Sequence, residues 1–257
     1  MKTIRLLSAN FILMVFAIST LMSNTAQAQE AERGFILSLG ESTIKPGHDA
    51  KFREGVKAWK ACYLENGGDW TWTMWRRVQG EGTVYTLSSG MANWAEMDEA
   101  ADEAGKKCRS LVVDLIQPHI KSSNYNLARS LPAWSKSESV ENNVAWVTFW
   151  QVEHYPTFVS TVKEVHDAMR AAEGDIRSYW YRSIGGGPDS FDYFAVTPYE
   201  SFTAMDVERD GVMTVVEKTV GKEKRDQLQE DFRGSVKESW SYIYTRVKDL
   251  SHNPETK

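Results

Sequence analysis

Apolar residues along this chain fall into two rhythms. Phe52, Val56, Trp59 and Tyr63 recur at spacings of four, three and four. That is one face of an amphipathic helix, and Gly67-Gly68 ends it. Trp70, Trp72, Met74 and Val78 alternate with Thr71, Thr73, Trp75 and Arg77. This is a strand with bulk on both faces. Gly80-Glu81-Gly82 reads as a hairpin turn and Thr83 to Ser88 as the return strand. Phe35 to Leu39 predicts an opening strand. Residues 92–120 are helix-rich, with Leu111, Val112, Leu115 and Ile116 as the apolar stripe, and Tyr125 to Leu131 predicts a closing strand.

The same order then recurs. Ala145 to Val152 opens as a strand, and Pro156 breaks the chain. Phe158, Val162, Val165, Met169 and Ala172 mark a helix face that Gly174 stops. Ile176 to Ile184 is a strand, Gly185 to Asp189 a turn, and Phe191 to Val196 the return. Tyr199 to about Glu238 reads as helical with breaks at Gly211 and Gly221, and Trp240 to Val247 closes as a strand. Asp69 matches Asp175 and Arg76 matches Arg182 at one offset, while Met97-Asp98 matches Met205-Asp206 at an offset two residues larger. A self-match at about 106 to 108 residues is too long for a solenoid and suits two copies of one small domain.

Each copy reads as βαββαβ, the ferredoxin-like order. The expected fold is α+β: two tandem ferredoxin-like units forming an intramolecular α+β barrel, one aromatic sheet covering the other so that neither leaves a wet apolar patch. The expected divisions are an export signal over 1–28, a first domain over 29–138, a second over 139–250 and a polar tail over 251–257, with a linker around Ser135 to Asn143. In element order, aromatic strands and tandem copies, the chain resembles the dimeric α+β barrel superfamily. That superfamily includes antibiotic-biosynthesis-type monooxygenase domains, NIPSNAP-like proteins, stress-responsive barrel proteins and haem-binding chlorite-dismutase-like proteins. The resemblance rests on pattern and duplication, with no signature motif, so it bears on fold more than on function.

Lys2 and Arg5 precede an apolar run from Phe11 to Leu21, and Ala26-Gln27-Ala28 fits a small-x-small cleavage site. Export to the periplasm or beyond is expected, with a retained membrane anchor as the alternative. No later stretch approaches the roughly 20 apolar residues of a transmembrane helix. The formal charge of −5 becomes −7 once Lys2 and Arg5 are removed, and an acidic surface disfavours nucleic acid and anionic lipid. Cys62 and Cys108 are the two cysteines. In an exported protein they suggest a disulfide; the alternative is two small apolar fillers on helices.

Candidate chemistry is sparse. His154 follows a strand and His166 lies on the next helix near Glu164, Asp167 and Arg170. Either could act as a general base or an axial ligand, and each has a bland counterpart as a strand-end or helix-flank histidine. The haem-binding relatives hold iron through a histidine of the second copy, but no motif carries that role onto either residue. Arg76 and Arg182 stand among aromatics, Trp72 in one copy and Trp180 and Tyr181 in the other, a setting that can hold an anionic or planar ligand or pair with a carboxylate across the barrel. No metal-ligand spacing is recognised, and Gly185-Gly186-Gly187 lies between strands, where no phosphate cradle forms.

Three functions follow as expectations. The first is binding of a small apolar or aromatic molecule between sheet and helices, with chemistry that needs no cofactor, as in the monooxygenase-like relatives. The second is a haem- or metal-dependent oxidoreductase sited in the second copy. The third is a non-catalytic assembly protein, since barrels of this class often form homo-oligomers.

Overall fold

In a computed structural model the described residues are 34–98, 102–140 and 142–253. The expected export signal lies outside them. The first half runs β1 (Ile36–Ile44), α1 (Asp49–Glu65), β2 (Thr73–Arg77), β3 (Thr83–Met91), α2 (Glu103–Leu111) and β4 (Ile120–Ser130). The second runs β5 (Val144–Val152), α3 (Tyr155–Glu173), β6 (Tyr179–Ser183), β7 (Tyr193–Tyr199), α4 (Val212–Val220), α5 (Lys222–Ser235) and β8 (Val236–Arg246). The helix-rich stretch 92–120 contains a 3₁₀ turn at Trp94–Met97, α2 and a π turn at Val112–Ile116. β8 begins at Val236, inside the span read as helical.

The strands form one closed antiparallel barrel in the order β1-β3-β2-β8-β5-β7-β6-β4. This corrects the expected pair of ferredoxin-like units. Among the described residues no two separate sheets lie over one another. β2 instead pairs with β8, Trp75 opposite Arg246 and Arg77 opposite Tyr244, and β4 pairs with β6, Ser130 opposite Tyr181. Those two seams leave no open sheet edge and enclose one common interior. The apolar pattern shows that both strand faces are covered but carries no information on which edges pair. Closure satisfies the edge N–H and C=O groups that a free sheet leaves unpaired.

One inward-facing cluster draws on seven strands. Ala128, Ala145, Val147, Phe194 and Tyr244 are buried, with Leu37, Leu39, Trp75, Phe149 and Tyr181 packed against them. Only the barrel interior brings these strands together. The helices cover the outside. α1 sets Phe52 and Val56 on Ile44, Met74 and Tyr85. Gly55 lets α1 approach the π turn, since a Cβ there would stand 2.1 Å from the Leu115 carbonyl oxygen. α3 sets Phe158 and Val162 on Trp180, Tyr193 and Ala195, and its other flank packs on α4 and α5 through Val165, Met169, Val216 and Leu228. Cys62 and Cys108 are disulfide-bonded, tying α1 to α2. The chain after β8 returns to the first half, where His252 pairs with Trp72 and the Ser251 hydroxyl accepts the Met74 N–H at 2.9 Å. Among the described residues no helix is long and apolar enough to cross a membrane.

Candidate functional site

β6 puts its side chains alternately inside and outside the barrel, and this separates residues that sequence reasoning grouped. Tyr179 and Tyr181 share one face; Trp180 and Arg182 share the other, beneath α3. Two candidate regions result, one at the barrel mouth and one in the layer between β6 and α3.

The mouth holds a cavity of about 420 Å³ between Phe35, Ala92, Ser130, Pro132, Ser135, Lys136, Tyr179 and Tyr181. Its walls are set by backbone pairing. Gly34 adopts φ +69°, and a Cβ there would lie 2.3 Å from the Ser130 carbonyl oxygen, so only glycine permits this approach. The neighbouring Phe35 N–H donates to the Ser130 hydroxyl at 2.8 Å, and Ser130 N–H returns to the Phe35 carbonyl at 3.0 Å. Beyond β4 the chain runs along β6: Leu131 N–H donates to the Trp180 carbonyl at 2.8 Å and Lys136 N–H to that of Ser178 at 2.9 Å. The Tyr179 hydroxyl donates to the Glu138 carbonyl at 2.7 Å and pins the segment that follows. Tyr181 stacks on Phe194 at 4.8 Å and meets Phe35 edge-on at 6.1 Å. Burial pushes its phenol up to about 12. That phenol is therefore protonated at ordinary pH, and it makes no hydrogen bond among the described residues.

The layer under α3 is built from Trp134, Trp150, Phe158, Trp180 and Tyr193. Trp150 and Trp180 lie parallel at 4.8 Å, and Trp134 stacks on Tyr193 at 5.7 Å. His166 is 5% exposed and meets the rings of Trp180 and Trp134 edge-on at 5.1 and 6.2 Å. Its Nδ1 is buried and has no hydrogen-bond partner. Burial, with the nearby Arg170 cation adding, lowers its pKa to about 4, so the imidazole is neutral. At the N-terminus of α3 the Tyr155 hydroxyl lies near Tyr193 and Arg182. The neighbouring Tyr193 hydroxyl is the largest cause of a lowered Tyr155 pKa, with burial opposing and Arg182 adding, while burial raises that of Tyr193.

The other predicted residues fall elsewhere. His154 is an exposed residue ahead of α3, its side chain making no cap. Trp72 is 1% exposed and donates its indole N–H to the Leu250 carbonyl at 2.8 Å, deep in the first half. Arg76 is exposed on β2, and its side chain makes no hydrogen bond or ion pair among the described residues. Reading the sequence missed Phe35, Ser130 and Lys136. The signal that could have found Lys136 is the polar segment Ser135 to Asn143, which reads as a linker.

The residues fit a haem in one respect and not in another. A buried imidazole with a free nitrogen is the donor that haem iron takes. The space is filled, however, by the Trp150–Trp180 and Trp134–Tyr193 stacks, and neither the mouth cavity nor the polar one beside Arg209 borders His166. A porphyrin does not fit this layer as packed. No group of three His, Cys, Asp or Glu among the described residues is placed to hold a metal ion.

No protein-family model matches the chain, and no curated protein matches it. Solved structures do. A candidate monooxygenase from Lactobacillus acidophilus NCFM aligns with 14% identity over 83% of this chain and 94% of its own, TM-score 0.51. An anthrone oxidase-like protein aligns with 14% identity over 84% and 93%, TM-score 0.52. A chlorite dismutase variant from Candidatus Nitrospira defluvii aligns with 10% identity over 88% and 98%, TM-score 0.51. The chain shares the fold of these dimeric α+β barrel proteins. At such identities the likeness to the dimeric α+β barrel proteins establishes architecture and leaves the chemistry to the site.

Proposed function

We propose that this protein binds a small, largely aromatic molecule in the cavity at the barrel mouth. The observation that carries the proposal is the half-buried Tyr181, its hydroxyl protonated and without a hydrogen-bond partner among the described residues, in the wall of a cavity of about 420 Å³. That volume is in the range of small-molecule sites. Phe35, Tyr179 and Tyr181 offer ring faces, and the Tyr181 O–H offers one donor to orient a carbonyl or phenol oxygen. Oxidation of the bound ring is supported only by the fold neighbours, whose names include monooxygenase and anthrone oxidase-like proteins. Export to an oxidising compartment is part of the same proposal and is supported by the bonded cysteines. So is descent of residues 29–138 and 139–250 from one duplicated unit, supported by the repeated segment.

Fluorescence titration with dansylamide tests the site. Saturable binding is expected. It should be lost in Ala92→Trp, which fills the mouth, and weakened about two- to ten-fold in Tyr181→Phe, which removes one hydrogen bond. Binding unaffected by both substitutions would remove the mouth as the site.

A second reading places a haem-dependent oxidoreductase site at His166. It is supported by the unpartnered Nδ1 and by a chlorite dismutase among the fold neighbours. The aromatic packing opposes it. Haem titration is therefore expected to give no Soret band that depends on His166; a band abolished by His166→Ala would move the site there.

A further inference from the structure

A second cavity, of about 440 Å³, lies beside the first, and Lys136 is the one residue common to both walls. The two differ in chemistry. Apart from Lys136, the mouth cavity is walled by apolar and hydroxyl-bearing residues. The second has six charged residues in its wall, with Tyr199 among the rest: Lys136, Glu173, Asp175, Arg177, Glu200 and Arg209.

Four of the six are already satisfied by one another. Lys136 pairs with Asp175 at 3.2 Å, and Asp175 also accepts the backbone N–H groups of Ser137 and Ile176. Arg177 donates from Nε to Glu173 at 2.8 Å and from Nη1 to the Asp210 carbonyl at 2.8 Å. Two charges remain. Arg209 has a single hydrogen bond among the described residues, from Nη2 to the Tyr199 hydroxyl at 3.0 Å, with its guanidinium 5.6 Å from that ring. The Glu200 carboxylate makes no hydrogen bond or ion pair among the described residues. Both side chains are exposed, and the Arg209 cation also helps to hold the Glu173 carboxyl low, yet neither has an ion-pair partner among the described residues, so the cavity presents one available cation and one available anion. A ligand bearing a carboxylate alone would meet repulsion from Glu200, and one bearing an ammonium alone would meet repulsion from Arg209. A zwitterion satisfies both.

We propose that the ligand spans both cavities: an aromatic body in the mouth, joined past Lys136 to an α-amino-acid arm whose carboxylate meets Arg209 and whose ammonium meets Glu200. This rests on the mouth cavity being the binding site and adds the ligand class.

The test is a set of dansyl probes titrated into the full protein. Dansylamide carries the body alone, dansylcadaverine adds an ammonium arm, dansylaminohexanoate a carboxylate arm, and Nε-dansyl-lysine the complete amino acid. Nε-dansyl-lysine is expected to bind about ten-fold or more tighter than the other three. Arg209→Gln and Glu200→Gln should each remove that gain and leave dansylamide affinity unchanged. Dansylamide binding with no gain from the amino acid, or a gain that survives both substitutions, overturns the arm and leaves the mouth site standing. Failure of every probe to bind overturns both.

Discussion

The outer layers of the two halves use similar materials to opposite ends. In the first half, Trp59, Tyr63, Trp70 and Trp72 pack together against β2 and β3, and the polar atoms of Tyr63, Trp70 and Trp72 are answered. The Trp72 indole donates to the Leu250 carbonyl, that of Trp70 to the Ser89 hydroxyl at 2.7 Å, and the Tyr63 phenol to Asp102. A disulfide crosses the layer, and the chain after β8 seals it. In the second half, Trp134, Trp150, Phe158, Trp180 and Tyr193 pack together. There His166 keeps an unanswered Nδ1, and no covalent link ties α3 to its neighbours. One indole of that layer, Trp134, comes from the short turn joining the halves. Buried aromatics therefore mark a core in both halves. What separates them is whether the polar atoms among those rings have partners, since an unpartnered buried group costs about 1–3 kcal/mol and persists only where something else holds it.

The largest expected effect tests the closed character of the first half. Replacing Cys62 and Cys108 together with serine should cost about 3–4 kcal/mol of unfolding free energy, from the chain entropy restored to a loop of 46 residues. Urea denaturation of oxidised and reduced protein should show the same loss for reduction, with little change in dansylamide binding, because no cavity-lining side chain contacts the disulfide. If the loss is small, the first half is held by packing alone and the contrast between the layers narrows to hydrogen bonding. If ligand binding falls with it, the two halves are coupled and the contrast breaks.

How much of this was legible beforehand follows from what each pattern encodes. The elements were, because periods of 3.6 and 2 are local: the spacing of Phe158, Val162, Val165 and Met169 is the buried face of α3. The closed barrel was not. Trp75 opposite Arg246 and Ser130 opposite Tyr181 are contacts between remote edges, and neither strand's own pattern names its partner. His166 and Trp180 are in contact, as their positions on one helix and the next strand allow. Grouping Trp180 with Tyr181 failed because adjacent strand residues face opposite ways. Lys136 was invisible as a wall residue because its place depends on Leu131 to Lys136 running beside β6, which only the backbone hydrogen bonds show. Arg76 and Arg182 match in sequence, yet Arg182 stands near enough to Tyr155 to lower its pKa, while Arg76 is exposed on β2.

The smaller effect concerns His166 and bears on the second layer directly. Its folded pKa of about 4 lies below the ordinary histidine value of 6.5. A depressed pKa means that protonation favours the unfolded chain. The neutral imidazole's contribution is therefore complete above about pH 6.5 and is lost as the pH falls toward 4. For a side chain this deeply buried the loss reaches about 3 kcal/mol at most. His166→Phe keeps a ring beside Trp134 and Trp180 and removes the proton site. Stability measured by urea denaturation from pH 8 to pH 4 should fall less steeply in the variant, the two curves diverging below about pH 6.5. His119, lowered by burial and by His48, titrates in both proteins and cancels in the difference. Asp175 does not confuse the result. Burial alone would raise its pKa, but its hydrogen bonds to Ser137, Ile176 and Lys136 lower it to about 2, so its contribution is lost only below the usual carboxylate range. Parallel curves for wild type and variant would mean that the imidazole is already hydrated or paired. The second layer would then be as fully satisfied as the first, and the difference drawn between the halves would vanish.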